Sequence, residues 1–198
     1  MITDADAWIA CHREDRWLFD KLLLSTHLGY LCGPCGVPVP ASQYYIVRPI
    51  MNLSGMGAGA ELLFLEAGHI VKPGYFWCEV FAGRHISVDY IDFKPTRCVE
   101  GIREPGAPLY RWREWRELSE DPLPFPDVPI RGDYRRLNVE FIGGYAIEIH
   151  LRGNSDAATG KVCWEKDGTK NNKNFISDPD DADGFLPEKR LGFIKGLA

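Results

Sequence analysis

No stretch of the 198 residues approaches the roughly 18–20 consecutive apolar residues that a membrane-spanning helix needs, so no membrane partner is expected. Positive charge is not in excess: 23 Lys and Arg stand against 28 Asp and Glu, a net charge of −5. A chain with no surplus of cations to exchange for phosphate counterions is a poor candidate for nucleic-acid binding. The opening residues, Met1-Ile2-Thr3-Asp4-Ala5-Asp6, lack the basic and apolar regions of a signal peptide, which makes a cytoplasmic location the expectation. Cysteine is sparse, with six residues too scattered for a disulfide scaffold. Internal repeats and low-complexity tracts are missing too. What remains is 45% hydrophobic and 26% charged, the composition of a globular protein with one domain or two small lobes.

Two of the cysteines form Cys32-Gly33-Pro34-Cys35, the spelling of a redox motif. That chemistry needs the first cysteine at a helix N-terminus, where the dipole favours the thiolate. Gly36-Val37-Pro38-Val39-Pro40 follows directly and forbids a helix there. No second CxxC or HxxxH is present to complete a zinc site. The expectation is a loop holding two small buried thiols.

Along the chain, Trp17, Leu18, Leu22, Leu24, Leu28 and Leu31 recur at steps of three and four within residues 8–31, which predicts a helix. Strand-like segments follow at 44–50, 61–65, 75–81 and 86–91, and a glycine-rich loop lies at 52–60. Residues 94–131 are rich in Pro, Arg and Trp and read as an insertion or covering loop with a short helix near 111–118. Segments 137–142 and 145–151 flank Gly143-Gly144 and predict a tight hairpin. The polar stretch 154–183 reads as loop. The fold class is α+β with mainly antiparallel sheets and a helix at the front.

Three features point to chemistry. Arg48 ends a strand before the glycine-rich loop, and loop N–H groups together with a cation can cradle phosphate oxygens. Such loops also serve as plain turns. The hairpin sets Glu140 and Glu148 on adjacent strands, with Glu148, His150 and Arg152 alternating to one face. Two facing carboxylates repel unless a hard cation lies between them, and Mg²⁺ suits carboxylate and phosphate oxygens. The alternative is a solvated polar face. Lys21, beside Asp20 in the first helical region, reads by itself as a surface lysine.

Taken in order, these pieces resemble the ATP-grasp family over residues 20–154. Asp20-Lys21 and Gly36-Val37-Pro38-Val39-Pro40 match its opening helix and turn, and Val47-Arg48-Pro49 with the loop 52–60 match its phosphate strand and mobile loop. Residues 78–88 match its adenine-gripping hinge, and Val139-Glu140-Phe141 with Glu148-Ile149-His150-Leu151-Arg152 match its metal-binding strands. The resemblance implies two small lobes gripping a nucleotide: lobe one at about 15–75, a hinge at 76–82, and lobe two at 83–198 carrying the insertion.

It further implies that Lys21 and Arg48 hold the α- and β-phosphates, while Ser54, Gly55, Gly57 and Gly59 close over the β- and γ-phosphates. Glu79, Val80 and Phe81 would lie against adenine, His85 near the ribose, and Glu140, Glu148 and His150 on Mg²⁺ or Mn²⁺. Arg152 and Arg48 would stabilise the transferring phosphoryl group. Arg48 stands in place of the family's lysine, and His150 in place of its asparagine, an exchange that favours Mn²⁺ over Mg²⁺. The implied activity is an ATP-dependent carboxylate–amine or carboxylate–thiol ligase acting through an acyl-phosphate, on a small-molecule or peptide carboxylate. The alternatives are an ATP-binding or regulatory module without ligase activity and a kinase-like phosphotransferase.

Few residues precede the first motif. Acceptor recognition would then fall to the 94–131 insertion, the C-terminal tail, a second copy of the chain or a partner protein. Tyr110-Arg111-Trp112-Arg113-Glu114-Trp115-Arg116 interleaves aromatics with arginines, as single-strand binders do. In an acidic chain it reads better as a packed helix over the cleft with Trp112 and Trp115 partly buried.

Overall fold

The computed structural model describes residues 3–53, 57–119, 122–154, 159–167, 172–177 and 188–195. Two short helices, α1 (Asp4–Ala10) and α2 (Lys21–His27), flank a 3₁₀ segment at Arg13–Phe19. The strands are β1 (Cys32–Pro34), β2 (Gln43–Pro49), β3 (Glu61–Leu65), β4 (Tyr75–Cys78), β5 (His85–Ile91) and β6 (Lys94–Ile102). They continue with β7 (Glu114–Glu117), β8 (Arg136–Ile142), β9 (Tyr145–His150), β10 (Gly160–Trp164), β11 (Phe175–Ser177) and β12 (Arg190–Ile194). A four-stranded sheet runs β1-β4-β2-β3, and an eight-stranded sheet runs β11-β12-β10-β7-β6-β5-β8-β9. Strand pairs among the described residues are antiparallel. Mainly antiparallel sheets with few helices is the α+β arrangement expected.

The chain passes from the small sheet to the large one at residues 79–84, between β4 and β5. Val39, Tyr45, Val47, Leu65, Val71 and Trp77 form the core of the small sheet. Leu18, Phe19 and Leu24 pack with Val88, Leu137, Val139, Phe141 and Ile149, so the N-terminal segments sit on the β5-β8-β9 end of the large sheet. Farther along, Val99, Trp112, Trp115, Val162, Trp164 and Phe193 make a separate core.

The expected hairpin is present. Gly143 and Gly144 have φ of 58° and 91°, the positive values a two-residue turn of this kind demands. Glu140 pairs directly with Glu148 across it.

Five expectations are corrected. The helix read over 8–31 is broken into three pieces. The Asp15 carboxylate accepts from Arg131 N, Gly132 N and the Tyr134 hydroxyl, which ties the middle piece to a distant loop. Asp20 then caps a fresh helix by accepting from Leu23 N. Secondly, 94–131 is no covering loop at its start, because β6 is a nine-residue strand inside the large sheet. Thirdly, 111–118 carries β7 instead of a helix, since its backbone is taken up by ladders to β6 and β10. Trp112 and Trp115 are buried, more fully than the partial burial expected. Fourthly, the polar 154–183 stretch contributes β10 and β11, where tertiary pairing outweighs weak local propensity. The Cys32–Cys35 segment also departs from its reading: Cys32–Pro34 is strand β1, and both thiols are half-buried.

Candidate functional site

One ion-pair network joins the sheets. Glu148, on the edge strand β9, accepts from Lys21 Nζ at the start of α2 and, at 3.3 Å, from Arg48 Nη1 on β2 of the small sheet. Arg48 Nη2 also donates to the Ile147 carbonyl at 3.2 Å, and its guanidinium lies over the Phe76 ring. Lys21 is placed by the Asp20 cap and by its own N–H, which donates to Ile50 O at 2.8 Å. That bond brings the helix start against the end of the Arg48 strand.

A second cluster is built around His150. Its Nδ1 lies 2.9 Å from Asp4 Oδ1, and Asp4 Oδ1 also accepts from Arg152 Nε at 2.7 Å. His150 Nε2 faces both glutamates, 3.7 Å from Glu140 Oε1 and 3.8 Å from Glu148 Oε2. The other Glu140 oxygen is 3.1 Å from His85 Nε2 on β5. Lys21, Arg48, His85, Glu140, Glu148, His150 and Arg152, taken from five elements and the turn after β9, thus belong to one connected group.

Burial would by itself strip His150 of its charge, but the Asp4 carboxylate and the nearby Glu140 carboxylate outweigh it, and the imidazole is pushed up to about 10. Burial likewise opposes ionisation of Asp4, yet His150 and Arg152 hold its carboxyl well below the usual range. Glu140 is also burdened by burial, and the neighbouring His150 and the hydrogen-bonded His85 bring it well below the ordinary glutamate value. The cation between the two glutamates in this structure is therefore the His150 imidazolium.

The residues expected around a base have their own neighbours in this structure. Glu79 Oε1 accepts from Leu31 N at 2.7 Å, so its carboxylate is occupied by the backbone before β1. Phe81 stacks on Tyr145, with centroids 4.5 Å apart and planes at 11°, and meets Tyr30 edge-on. Val80 is exposed. Gly57 and Gly59 have positive φ, and a Cβ on Gly59 would stand 3.0 Å from Pro49, the neighbour of Arg48. Ser54 and Gly55 lie outside the described residues.

Among the described residues no group of three or more His, Cys, Asp or Glu side chains is arranged to hold a metal ion. The donor chemistry nonetheless suits one. Two carboxylates and an imidazole meet here, and a carboxylate on the far ring nitrogen is the usual device for orienting a histidine ligand.

Asp4 is the residue that sequence reading passes over. It is 3% exposed, sits at the first position of α1 and is 146 residues from the histidine it grips. Thr3 and Asp6 form a capping box at that helix start, which the sequence reading placed only from residue 8. Nothing local distinguishes Asp4 from the solvent-facing acids around it.

No family model matches the chain, and no curated protein matches it in sequence. Among solved structures it is similar to one from Archaeoglobus fulgidus, proposed to be an ATP-grasp superfamily protein, with a TM-score of 0.46 and 16% identity over 76% of this chain and 49% of that one. The chain spans about half the length of that structure. No helix among the described residues is long and apolar enough to cross a membrane.

Proposed function

We propose that this chain binds ATP with a divalent cation at the junction of its two sheets and works as an ATP-dependent ligase. A carboxylate substrate would be activated as its acyl-phosphate and captured by an amine or thiol. The observation that carries this reading is the single network joining Lys21, Arg48, His85, Glu140, Glu148, His150 and Arg152. Sequence alone scatters these residues over 132 positions, from 21 to 152.

Lys21, Arg48, Arg152 and protonated His150 outnumber Asp4, Glu140 and Glu148 by one positive charge, with His85 left aside. A site of that balance favours a polyanion. Lys21 and Arg48 would turn from Glu148 to phosphate oxygens, where the planar guanidinium offers a bidentate fork and the lysine a point charge. That exchange frees the Glu148 carboxylate, which with Glu140 and His150 would hold Mg²⁺ or Mn²⁺. The metal, when bound, supplies charge neutralisation to the phosphates. Asp4 keeps His150 and Arg152 in place while partners are exchanged.

A second reading, an ATP-binding or regulatory module without ligase activity, is favoured by the imidazolium held between the glutamates. To act as a ligand His150 must lose its Nε2 proton, so metal binding strengthens as pH rises.

The test is a thermal-unfolding scan with ATP plus Mg²⁺ or Mn²⁺. Ligand at about 100 times its Kd stabilises by about 2.7 kcal/mol, a Tm rise of about 5–11 °C for this size. The rise should be larger with Mn²⁺ and vanish in Glu148→Gln. No rise at saturating ATP refutes the nucleotide site. ADP release that depends on an added carboxylate separates the ligase from the module.

A further inference from the structure

The redox spelling at residues 32–35 is taken apart by strand geometry. Cys32 and Cys35 are three residues apart along extended chain, so they point to opposite faces about 10 Å apart, beyond the reach of a disulfide. Cys32 has another neighbour. In the β1–β4 ladder its register partner is Cys78, with Gly33 opposite Trp77 and Pro34 opposite Phe76. Glu79 N donates to Leu31 O at 2.9 Å and Cys35 N to Tyr75 O at 3.2 Å. Those bonds make 31/79 and 35/75 hydrogen-bonded pairs, and by alternation 32/78 is a non-hydrogen-bonded pair. At such positions Cα atoms lie about 4.5 Å apart with both side chains on one face, inside the range a disulfide spans.

We propose that Cys32 and Cys78 are a site of oxidative modification that closes to a cross-strand disulfide. Both are free thiols here. Cys32 is half-exposed and Cys78 is 5% exposed, which sets the order of events. The Cys32 thiolate attacks a sulfur of a low-molecular-weight disulfide, forming a mixed disulfide and releasing one thiol. The Cys78 thiolate then attacks the Cys32 sulfur and expels the second thiol, so two protein thiols and one disulfide become one protein disulfide and two small thiols. The bond staples the three-residue edge strand β1 to the strand that leads into the 79–84 connection. Glu79 already ties that end through both its N–H and its carboxylate to Leu31.

The experiment is incubation of the reduced full-length chain with oxidised glutathione, followed by alkylation and non-reducing peptide mapping. A Cys32–Cys78 linked peptide is the expected product, unchanged in Cys35→Ala. In Cys78→Ala the reaction should stop at a stable glutathione adduct on Cys32, and in Cys32→Ser, at a half-exposed position, Cys78 should stay reduced. A Cys32–Cys35 link, a persistent adduct on Cys32 in the wild type, or loss of the bond in Cys35→Ala would overturn the assignment.

Discussion

Glu148 shows most plainly how one residue can serve both fold and site. Its carboxylate is the shared partner of Lys21 and Arg48, and all three side chains are at most 13% exposed. Removing one member of a buried ion group leaves charges without compensation, which costs about 3–5 kcal/mol. Glu148→Ala should therefore lose stability in that range in urea unfolding, with Glu148→Gln losing less because it keeps an acceptor oxygen for Lys21. A cost below about 1 kcal/mol would mean that the pairs are solvated and that Lys21 and Arg48 are not held by Glu148. Asp4 was not legible in the sequence for a related reason. A carboxylate near a helix start is ordinary capping material, and its burial under Arg152 and His150 follows only from where β9 ends.

At the scale of elements, the β8–β9 hairpin does more than join strands. Its turn glycine Gly143 donates to Arg84 O, and a Cβ at Gly143 would stand 2.0 Å from Ala82 O. The hairpin that carries both glutamates is thus seated on the connection between the sheets. Gly144 has the same left-handed backbone but open space around it. Gly144→Ala should cost about 1–2 kcal/mol from backbone strain alone. Gly143→Ala should cost clearly more, because the connection must also move, and it should weaken any ATP-dependent Tm rise. Equal losses at the two positions, read by denaturant unfolding, would show that the turn is not packed on the connection. The glycine pair was readable from the sequence as a turn; its contact with Ala82 and Gly83, 60 residues earlier, was not.

For the molecule as a whole, stability should follow the charges in the network. His150 titrates near 10 in the folded chain against an ordinary 6.5, so its contribution is complete below pH 6.5 and is lost as pH rises towards 10. Asp4 and Glu140 are held below their ordinary 3.8 and 4.5, so theirs is complete above those values and is lost as pH falls further. Stability should be greatest between about pH 4.5 and 6.5 and decline above it. A Tm series from pH 6 to 10 should show that decline, and His150→Gln should flatten it. An unchanged slope in the variant would place the titrating group elsewhere.

Short-range signals sufficed for the β8–β9 hairpin, the facing Glu140 and Glu148 and the strand bearing Arg48, because turn chemistry and two-residue alternation act within a few positions. Tertiary structure decided the rest. It broke the first helix at Asp15 and drew the 94–117 region into the large sheet. It paired Cys32 with Cys78, and it set a charged His150 between the glutamates with Asp4 behind it. Each of these depends on which distant segment offers a hydrogen bond or a counter-charge, a quantity that no local pattern contains.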